Sequence, residues 1–304
     1  MKIAIIGAGA MGSLFGGYLT LSGEEVWLVD IRREQIETVR SLGLTIEEGG
    51  KLQVINVNAT LDVKSIGKAD IVLFFVKTYH MEKAVSDALA LEKKETLYLT
   101  LQNGLGVEEM ISKKIDRKKI ILGVTNHGAT LVGPGHIRHA GKGSTFIGEL
   151  DHQITDRAKE IAEKFCDAGF QTEVSPNIHH HVWEKFLINV GINALTALTG
   201  FKNGQLLDYP ETLRLMEQLV FEAVEVAKKN GIPISPGNAF EKVKRVAEAT
   251  RKNRSSMGQD FDFRQKTEID VINGAVVKEA QRLGIAVPCN QMITDLVKAI
   301  EKSF

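Results

Sequence analysis

The stretch Lys2-Ile3-Ala4-Ile5-Ile6-Gly7-Ala8-Gly9-Ala10-Met11-Gly12 decides the fold. Ile3–Ile6 is a short, apolar, largely β-branched run, the pattern of a strand buried on both faces of a parallel sheet. It ends in Gly7-x-Gly9-x-x-Gly12 and passes directly into a helical pattern from Met11 to Leu21. In such a turn the glycines serve a tight bend, close backbone approach to a pyrophosphate and close helix–strand packing. The unsatisfied N–H groups and dipole of the helix start then favour phosphate charge. A second apolar run, Glu25–Val29, ends in Asp30, 18 residues beyond Gly12. The dinucleotide fold places there an acid that bonds the ribose hydroxyls. A glycine-rich turn alone carries little, but strand, turn, helix and acid together predict a dinucleotide site over Gly7–Gly12 and Asp30.

Outward from this unit, strands and helices alternate to about Gln171. Arg33–Ser41 reads as a helix, and Thr45–Glu47 and Leu52–Val57 read as a hairpin about Gly49-Gly50, inserted into the sheet. Ile71–Val76 is a continuous apolar run ending at Lys77; Thr96–Leu101 is another, ending in Gln102-Asn103-Gly104. Gly133-Pro134-Gly135 and Gly141–Gly143 punctuate antiparallel ribbons that include Ser144–Ile147. The expectation is an α/β doubly wound sheet of Rossmann type with an antiparallel extension at one edge. Ligands of open α/β sheets sit outside the carboxyl ends of the strands. The glycine turn, Asp30, Lys77 and Gln102–Gly104 all fall at such ends, so one crevice is expected to serve them. Taken singly, Lys77 reads equally as a solvated strand cap and Asn103-Gly104 as a plain turn.

Beyond Ser175-Pro176 long helical patterns take over: His181–Leu198, Pro210–Lys229, Pro236–Ala249, Phe263–Leu283 and Asn290–Lys302. Their breaks carry helix-stop chemistry, as in Asn230-Gly231-Ile232-Pro233. A boundary is therefore expected near 171–178, with a dinucleotide domain over 1–174 and an all-helical domain over 175–304.

Lys+Arg and Asp+Glu are both 38, so the formal net charge is zero. That balance gives no electrostatic footprint for nucleic acid. The two cysteines, Cys166 and Cys289, sit in no metal or redox spacing, which fits a reducing cytoplasm. The N-terminal apolar run is the first strand rather than a signal peptide, and no stretch has the roughly 18 uncharged apolar residues of a membrane span. The run His179-His180-His181 does not read as a metal site, because adjacent side chains do not converge on one ion.

Within Trp183–Leu195 apolar residues fall on nearly every side, the mark of a buried helix. Lys185, Asn189 and Asn193 nevertheless recur at i, i+4 and i+8, forming one polar row. Burying an amide without a partner costs about 1–3 kcal/mol, so this row needs either a protein network or a ligand. Asn253–Asp260 reads as a polar loop able to bind a carboxylate or cap the next helix, and Glu268 as an acid within a helix beside it.

These stretches together resemble the ketopantoate reductase family (2-dehydropantoate 2-reductases), essentially end to end. The motifs are Gly7-x-Gly9-Ala10-Met11-Gly12, Val76-Lys77, Gln102-Asn103-Gly104, Trp183-x-Lys185-x-x-x-Asn189-x-x-x-Asn193, Asn203-Gly204, Ser255-Ser256-Met257-x-Gln259-Asp260 and Thr267-Glu268-Ile269-Asp270-x-x-Asn273-Gly274. The resemblance implies a Rossmann domain followed by an all-α domain of the 6-phosphogluconate-dehydrogenase C-terminal type, with substrate held between them. It implies NAD(P)H-dependent reduction of 2-dehydropantoate to (R)-pantoate, on the route to pantothenate and coenzyme A. Lys185 would be the general acid, and Glu268 would bond the substrate or orient the lysine. Asn103, Asn189, Asn193, Asn203, Asn253 and Ser256 would hold the substrate. Gly7, Ala8, Gly9, Ala10, Met11, Gly12, Asp30, Arg32, Lys77, Asn103 and Glu268 would line the cofactor.

The family is largely NADPH-dependent and often places a basic residue where this chain has Asp30. Asp30 suits NADH and repels a 2′-phosphate, while Arg32 and Arg33 offer charges that could offset the repulsion. NADH is the favoured expectation, with NADPH open. Two other readings share the sequence: an NAD-dependent D-2-hydroxyacid dehydrogenase of D-mandelate type, and a non-catalytic dinucleotide sensor. Retention of Lys185 and Glu268 with the amide set argues against the sensor. A homodimer through the helical domain is expected from its long apolar helices.

Overall fold

The computed structural model describes all 304 residues and divides into two compact units. Met1–Gln102 and Gly106–Ile178 form the first; Asn103–Leu105 and His179–Phe304 form the second.

The first unit begins with β1 (Lys2–Ile6), α1 (Ala10–Leu21), β2 (Glu25–Val29), α2 (Arg33–Leu42), β3 (Leu44–Glu48), β4 (Lys51–Ile55) and β5 (Asn58–Thr60). It continues through β6 (Ile71–Phe74), α3 (Met81–Ala88), β7 (Leu97–Thr100), α4 (Val107–Ser112) and β8 (Ile120–Thr125). Then come β9 (Gly128–Gly133), β10 (His136–Gly141), β11 (Thr145–Glu149), α5 (Asp156–Asp167) and β12 (Thr172–Val174). Eight strands make one sheet in the order β12-β11-β8-β7-β6-β1-β2-β5. All its pairs are parallel except β11 with β8. The chain winds outward from β1 in both directions, which puts the topological switch point beside the glycine turn.

The period of two along β1 explains its burial on both faces. Ile3 and Ile5 join a core with Leu14, Phe15, Ile161 and Phe165 of α1 and α5. Ala4 and Ile6 join a second core with Met81, Val85 and Ile111 of α3 and α4.

The β3–β4 hairpin departs from expectation. It is not inserted into the main sheet but forms its own four-stranded sheet, β4-β3-β10-β9, with the later ribbon. β5 pairs with β2 and takes that edge, while β3 pairs in parallel with β10. Leu44, Ile46 and Ile55 of this second sheet close on α1 at Gly17, where a Cβ would lie 2.7 Å from Ile46.

The second unit contains α6 (Ile178–Thr199), α7 (Pro210–Lys229), α8 (Pro236–Ala249), α9 (Ser256–Asp262), α10 (Asn273–Leu283) and α11 (Pro288–Glu301). Prolines open α7, α8 and α11, where their missing N–H is not needed. Its core gathers Phe186, Val190, Leu195, Met216, Val220, Val243, Val276 and Val297. Gly191 lets α7 and α8 approach α6, since a Cβ there would meet Val220 at 2.9 Å and Val243 at 3.0 Å. No helix is long and apolar enough to cross a membrane.

Two expectations here are corrected. The helix expected from Phe263 begins only at Asn273, after a 3-10 turn at Ile269–Val271 and a break at Ile272. The Thr267 hydroxyl takes the Ile269 N–H at 3.1 Å, and the Val271 carbonyl takes Leu105 N–H at 3.2 Å, so these groups leave the helical ladder. The expected loop at Asn253–Asp260 turns helical from Ser256, because the Ser255 hydroxyl caps α9 by accepting from Gly258 N–H at 2.9 Å.

Candidate active site

In the first unit the glycine turn is fixed by close backbone crossings. Gly7 has φ +104°, and a Cβ there would lie 2.6 Å from Phe75 backbone. At Gly12 a Cβ would meet the Gly7 carbonyl oxygen at 1.9 Å, so only glycine allows this close crossing. Gly9 is the opposite case: a Cβ would find nothing within 4 Å, leaving open space above the backbone. Gly9 caps α1 without a side-chain bond, and no protein acceptor takes the N–H groups of Gly9, Ala10 or Met11. Free donors at a helix start beside open space fit a dinucleotide pyrophosphate.

Asp30 follows β2, with its side chain 8 % exposed. Arg32 grips it from three directions. Its Nε lies 3.0 Å from Oδ1, a terminal nitrogen 3.0 Å from Oδ2, and its backbone N–H donates to Oδ1 at 2.9 Å. The free guanidinium expected for a 2′-phosphate is thus engaged with the acid it was expected to offset. Arg33 pairs with Glu37 at 3.0 Å on the exposed face of α2. Lys77 follows β6 at the entry to a 3-10 turn, Thr78–His80. The Gln102 amide, at the end of β7, donates to the Val76 carbonyl and ties these two strand ends.

In the second unit Lys185, Asn189 and Asn193 lie along α6. Asn273, fully buried, donates to the Val190 carbonyl at 3.2 Å and to Asn290 at 3.0 Å, fixing α10 against this helix. Burial pushes the Lys185 ammonium down from 10.5 to about 8, and the Glu268 carboxylate pulls it partly back up. Asn193 donates to the Ser256 hydroxyl at 3.5 Å, a long contact. Asn203 donates to Thr250 at 2.9 Å and its N–H bonds the Asn253 carbonyl at 3.0 Å. The Asn253 side chain is exposed, so its backbone rather than its amide joins the network. The Asn189 Nδ2 and Asn203 Oδ1 atoms are buried without a partner. Buried amide atoms without a partner are rare in folded proteins, and a ligand is one way to satisfy them.

Asn103-Gly104 packs in the same unit as Glu268. Gly104 has φ +94°, and a Cβ would lie 2.6 Å from the Val271 carbonyl, three residues past Glu268. This turn therefore serves to bring Asn103 beside the Glu268 segment, beyond the plain turn its sequence allows.

Arg254 was not foreseen as a site residue. It forks onto Asp262 at 2.9 and 2.8 Å and donates to the carbonyls of Thr196 and Phe201, pinning the Asn253–Ser256 loop to the end of α6. Its position inside a polar loop was the only available signal. The imidazoles of His180 and His181 stand at 80° with centroids 6.2 Å apart, both near Glu184. Cys166 and Cys289 are free thiols.

Residues 3–152 match the family described as Ketopantoate reductase PanE/ApbA, and residues 177–301 match Ketopantoate reductase PanE/ApbA C terminal. The chain is 38% identical to a 2-dehydropantoate 2-reductase of Pyrococcus horikoshii, covering 99% of this chain and 98% of that one. It is 36% identical to a 2-dehydropantoate 2-reductase of Halobacterium salinarum, covering 99% of both. Among solved structures, D-mandelate dehydrogenase with NADH and anilino(oxo)acetate superposes with TM-score 0.95 at 31% identity, covering 100% of this chain and 99% of that one. The 2-dehydropantoate 2-reductase from Geobacter metallireducens superposes with TM-score 0.93 at 28% identity, covering 99% of this chain and 100% of the other.

Proposed function

Because the chain belongs to the ketopantoate reductase family, we propose that it reduces 2-dehydropantoate to (R)-pantoate with NAD(P)H. The observation that carries this reading is Lys185: a half-buried ammonium held near pKa 8, at the head of a row of amides with an orphaned donor.

The nicotinamide, when bound, supplies the hydride. The protein's own residues supply the rest. Lys185 gives its proton to the carbonyl oxygen, where negative charge develops, and its lowered pKa makes that donation easy near neutrality. Glu268 keeps the lysine protonated by its charge. The orphaned amides of Asn189 and Asn203, with Asn103, Asn193 and Ser256, hold the carboxylate and hydroxyl of the substrate. An amide that would otherwise stay unpaired discriminates strongly against analogues lacking its partner group. Gly7–Gly12 cradle the pyrophosphate, and Asp30 accepts the adenosine ribose hydroxyls, favouring NADH.

Loss of absorbance at 340 nm with 2-dehydropantoate, run in parallel with NADH and NADPH, tests the assignment. Turnover with 2-dehydropantoate far above that with phenylglyoxylate is expected. The reverse ranking would replace it with the D-mandelate-type reading, which Asp30 and the structural likeness to an NADH-bound D-mandelate dehydrogenase favour. Absence of turnover on any 2-keto acid would move the sensor reading ahead.

The reaction is assigned to the cytoplasm, in keeping with two free thiols. Self-association is assigned to α11, whose Met292, Leu296 and Ile300, spaced four residues apart, stay 39–52 % exposed along one face. Sedimentation of the wild type against Leu296→Glu checks this, with a dimer expected only for the wild type.

A further inference from the structure

Three side-chain donors converge on a single backbone oxygen in the glycine turn. The Ala8 carbonyl accepts from Gln35 Nε2 at 3.0 Å, Ser13 Oγ at 3.1 Å and a terminal nitrogen of Arg32 at 3.2 Å. Gln35 sits in α2 and is 2 % exposed, an uncommon place for an uncharged amide outside a core network. Its Oε1 accepts from Gly135 N–H at 2.8 Å, between β9 and β10. The Gly135 carbonyl in turn takes Thr45 N–H of β3 at 2.8 Å. These partners fix the orientation of the amide. Turned over, it would set N–H against N–H and oxygen against oxygen.

The consequence lies on the other side of the same peptide. In a planar trans peptide the carbonyl and the following N–H point in opposite directions. Anchoring the Ala8 carbonyl therefore turns the Gly9 N–H, the donor with no protein acceptor, to the side opposite Gln35, Ser13 and Arg32. Donors on the carbonyl also polarise the peptide and strengthen its N–H. Arg32 is the least independent of the three, because it also holds Asp30. Ser13 and Gln35 have no such second duty toward the cofactor.

We infer that Gln35 is a positioning residue for dinucleotide binding: it locks the Ala8–Gly9 peptide with its N–H turned toward the cofactor phosphate. This rests on the dinucleotide reading of the glycine turn. It extends that reading to a buried side chain outside the motif, and it makes the second sheet, through Gly135, part of the support of the cofactor site.

Gln35→Met keeps the length of the side chain and removes both bonds; Ser13→Ala removes one donor only. Dissociation constants for NADH and NADPH come from fluorescence titration, and the Gly9 amide resonance from NMR of the 15N-labelled, ligand-free protein. Gln35→Met is expected to weaken both cofactors roughly tenfold, the scale of one lost hydrogen bond, and Ser13→Ala about threefold. The Gly9 proton resonance is expected to move upfield in both. At saturating cofactor, kcat and the KM for the keto acid should stay within about twofold of wild type, as a cofactor-positioning role demands. A folded Gln35→Met protein with wild-type affinities and an unmoved Gly9 resonance would overturn the inference. If that variant does not fold, unchanged affinities in Ser13→Ala do the same. Wild-type protein that binds neither cofactor would instead overturn the dinucleotide reading beneath it.

Discussion

Arg32 closes a two-pronged ion pair on Asp30, Nε to Oδ1 and a terminal nitrogen to Oδ2, both at 3.0 Å. With the Arg32 N–H also on Oδ1, the carboxylate has filled most of its acceptor positions. The acid that should read a ribose and the base that should read a phosphate hold each other. On the proposed reading, choice of cofactor is a competition for this one ion pair.

Removing either partner should release the other. Arg32→Ala is expected to lower kcat/KM for NADPH by about 10- to 100-fold, the value of one hydrogen bond to a charged group, while NADH, which loses one donor on the Ala8 carbonyl but gains a released Asp30, changes far less. Asp30→Ala should do the reverse, weakening NADH and freeing Arg32 for the 2′-phosphate. Steady-state kinetics with both cofactors at constant ionic strength measure the two shifts.

Lys185→Ala should lower kcat by about 100- to 10,000-fold with a small change in cofactor affinity, as for loss of a general acid. On the proposed reading the protonated lysine is the active form for reduction. With its pKa lowered to about 8, kcat is expected to be flat below that pH and to fall as pH rises through it.

Glu268 raises the lysine's pKa from across the site. Glu268→Gln removes that charge, so the alkaline limb of the pH profile should move to lower pH. Full pH–rate profiles of the two proteins at saturating substrate check the direction. An unmoved or alkaline-shifted limb would show that Glu268 does not act through Lys185.

Asn189→Leu replaces a buried amide that has an unpartnered nitrogen. Thermal unfolding of the ligand-free protein is expected to be unchanged or slightly raised. The KM for the keto acid should rise by about tenfold or more, because the amide is retained for binding at some cost in stability.

Gly104→Ala asks an L-residue to adopt φ +94° with its Cβ 2.6 Å from the Val271 carbonyl. It should destabilise the protein by about 2 kcal/mol or more. Displacement of Asn103 should depress activity in whatever fraction remains folded, measured by denaturant titration and turnover on the same sample.

The parts legible from sequence are those carried by local periodicity. The glycine spacing, the apolar strands and the i, i+4, i+8 row of Lys185, Asn189 and Asn193 all repeat within a few turns of chain. What escaped is set by partners distant in sequence. β3 finds β10 some ninety residues on, because closing a sheet over α1 rewards that pairing more than insertion beside β2. Glu268 stands before a 3-10 turn rather than inside a helix, since Leu105 N–H claims the Val271 carbonyl. Asn253 looked like a ligand group by residue type, yet its backbone does the bonding. The Arg32–Asp30 pair escaped for a different reason: it forms in the short irregular stretch between β2 and α2, where no periodic pattern announces which side chains meet.

The membership of Asn103–Leu105 in the helical unit bears on how such a protein can change over generations. A gene joined at one crossover near codon 178 would carry the helices from one parent and Asn103-Gly104 from the other. The recombinant would inherit Lys185 with Asn189, Asn193 and Asn203 from one lineage and Asn103 from the other, with a Gly104 and a Val271 that had not evolved together at a place where even a Cβ would lie 2.6 Å from the Val271 carbonyl. New substrate preferences are therefore expected to arise by point substitution within an intact chain, and libraries built by swapping whole helical units should yield few folded members unless residues 103–105 travel with them.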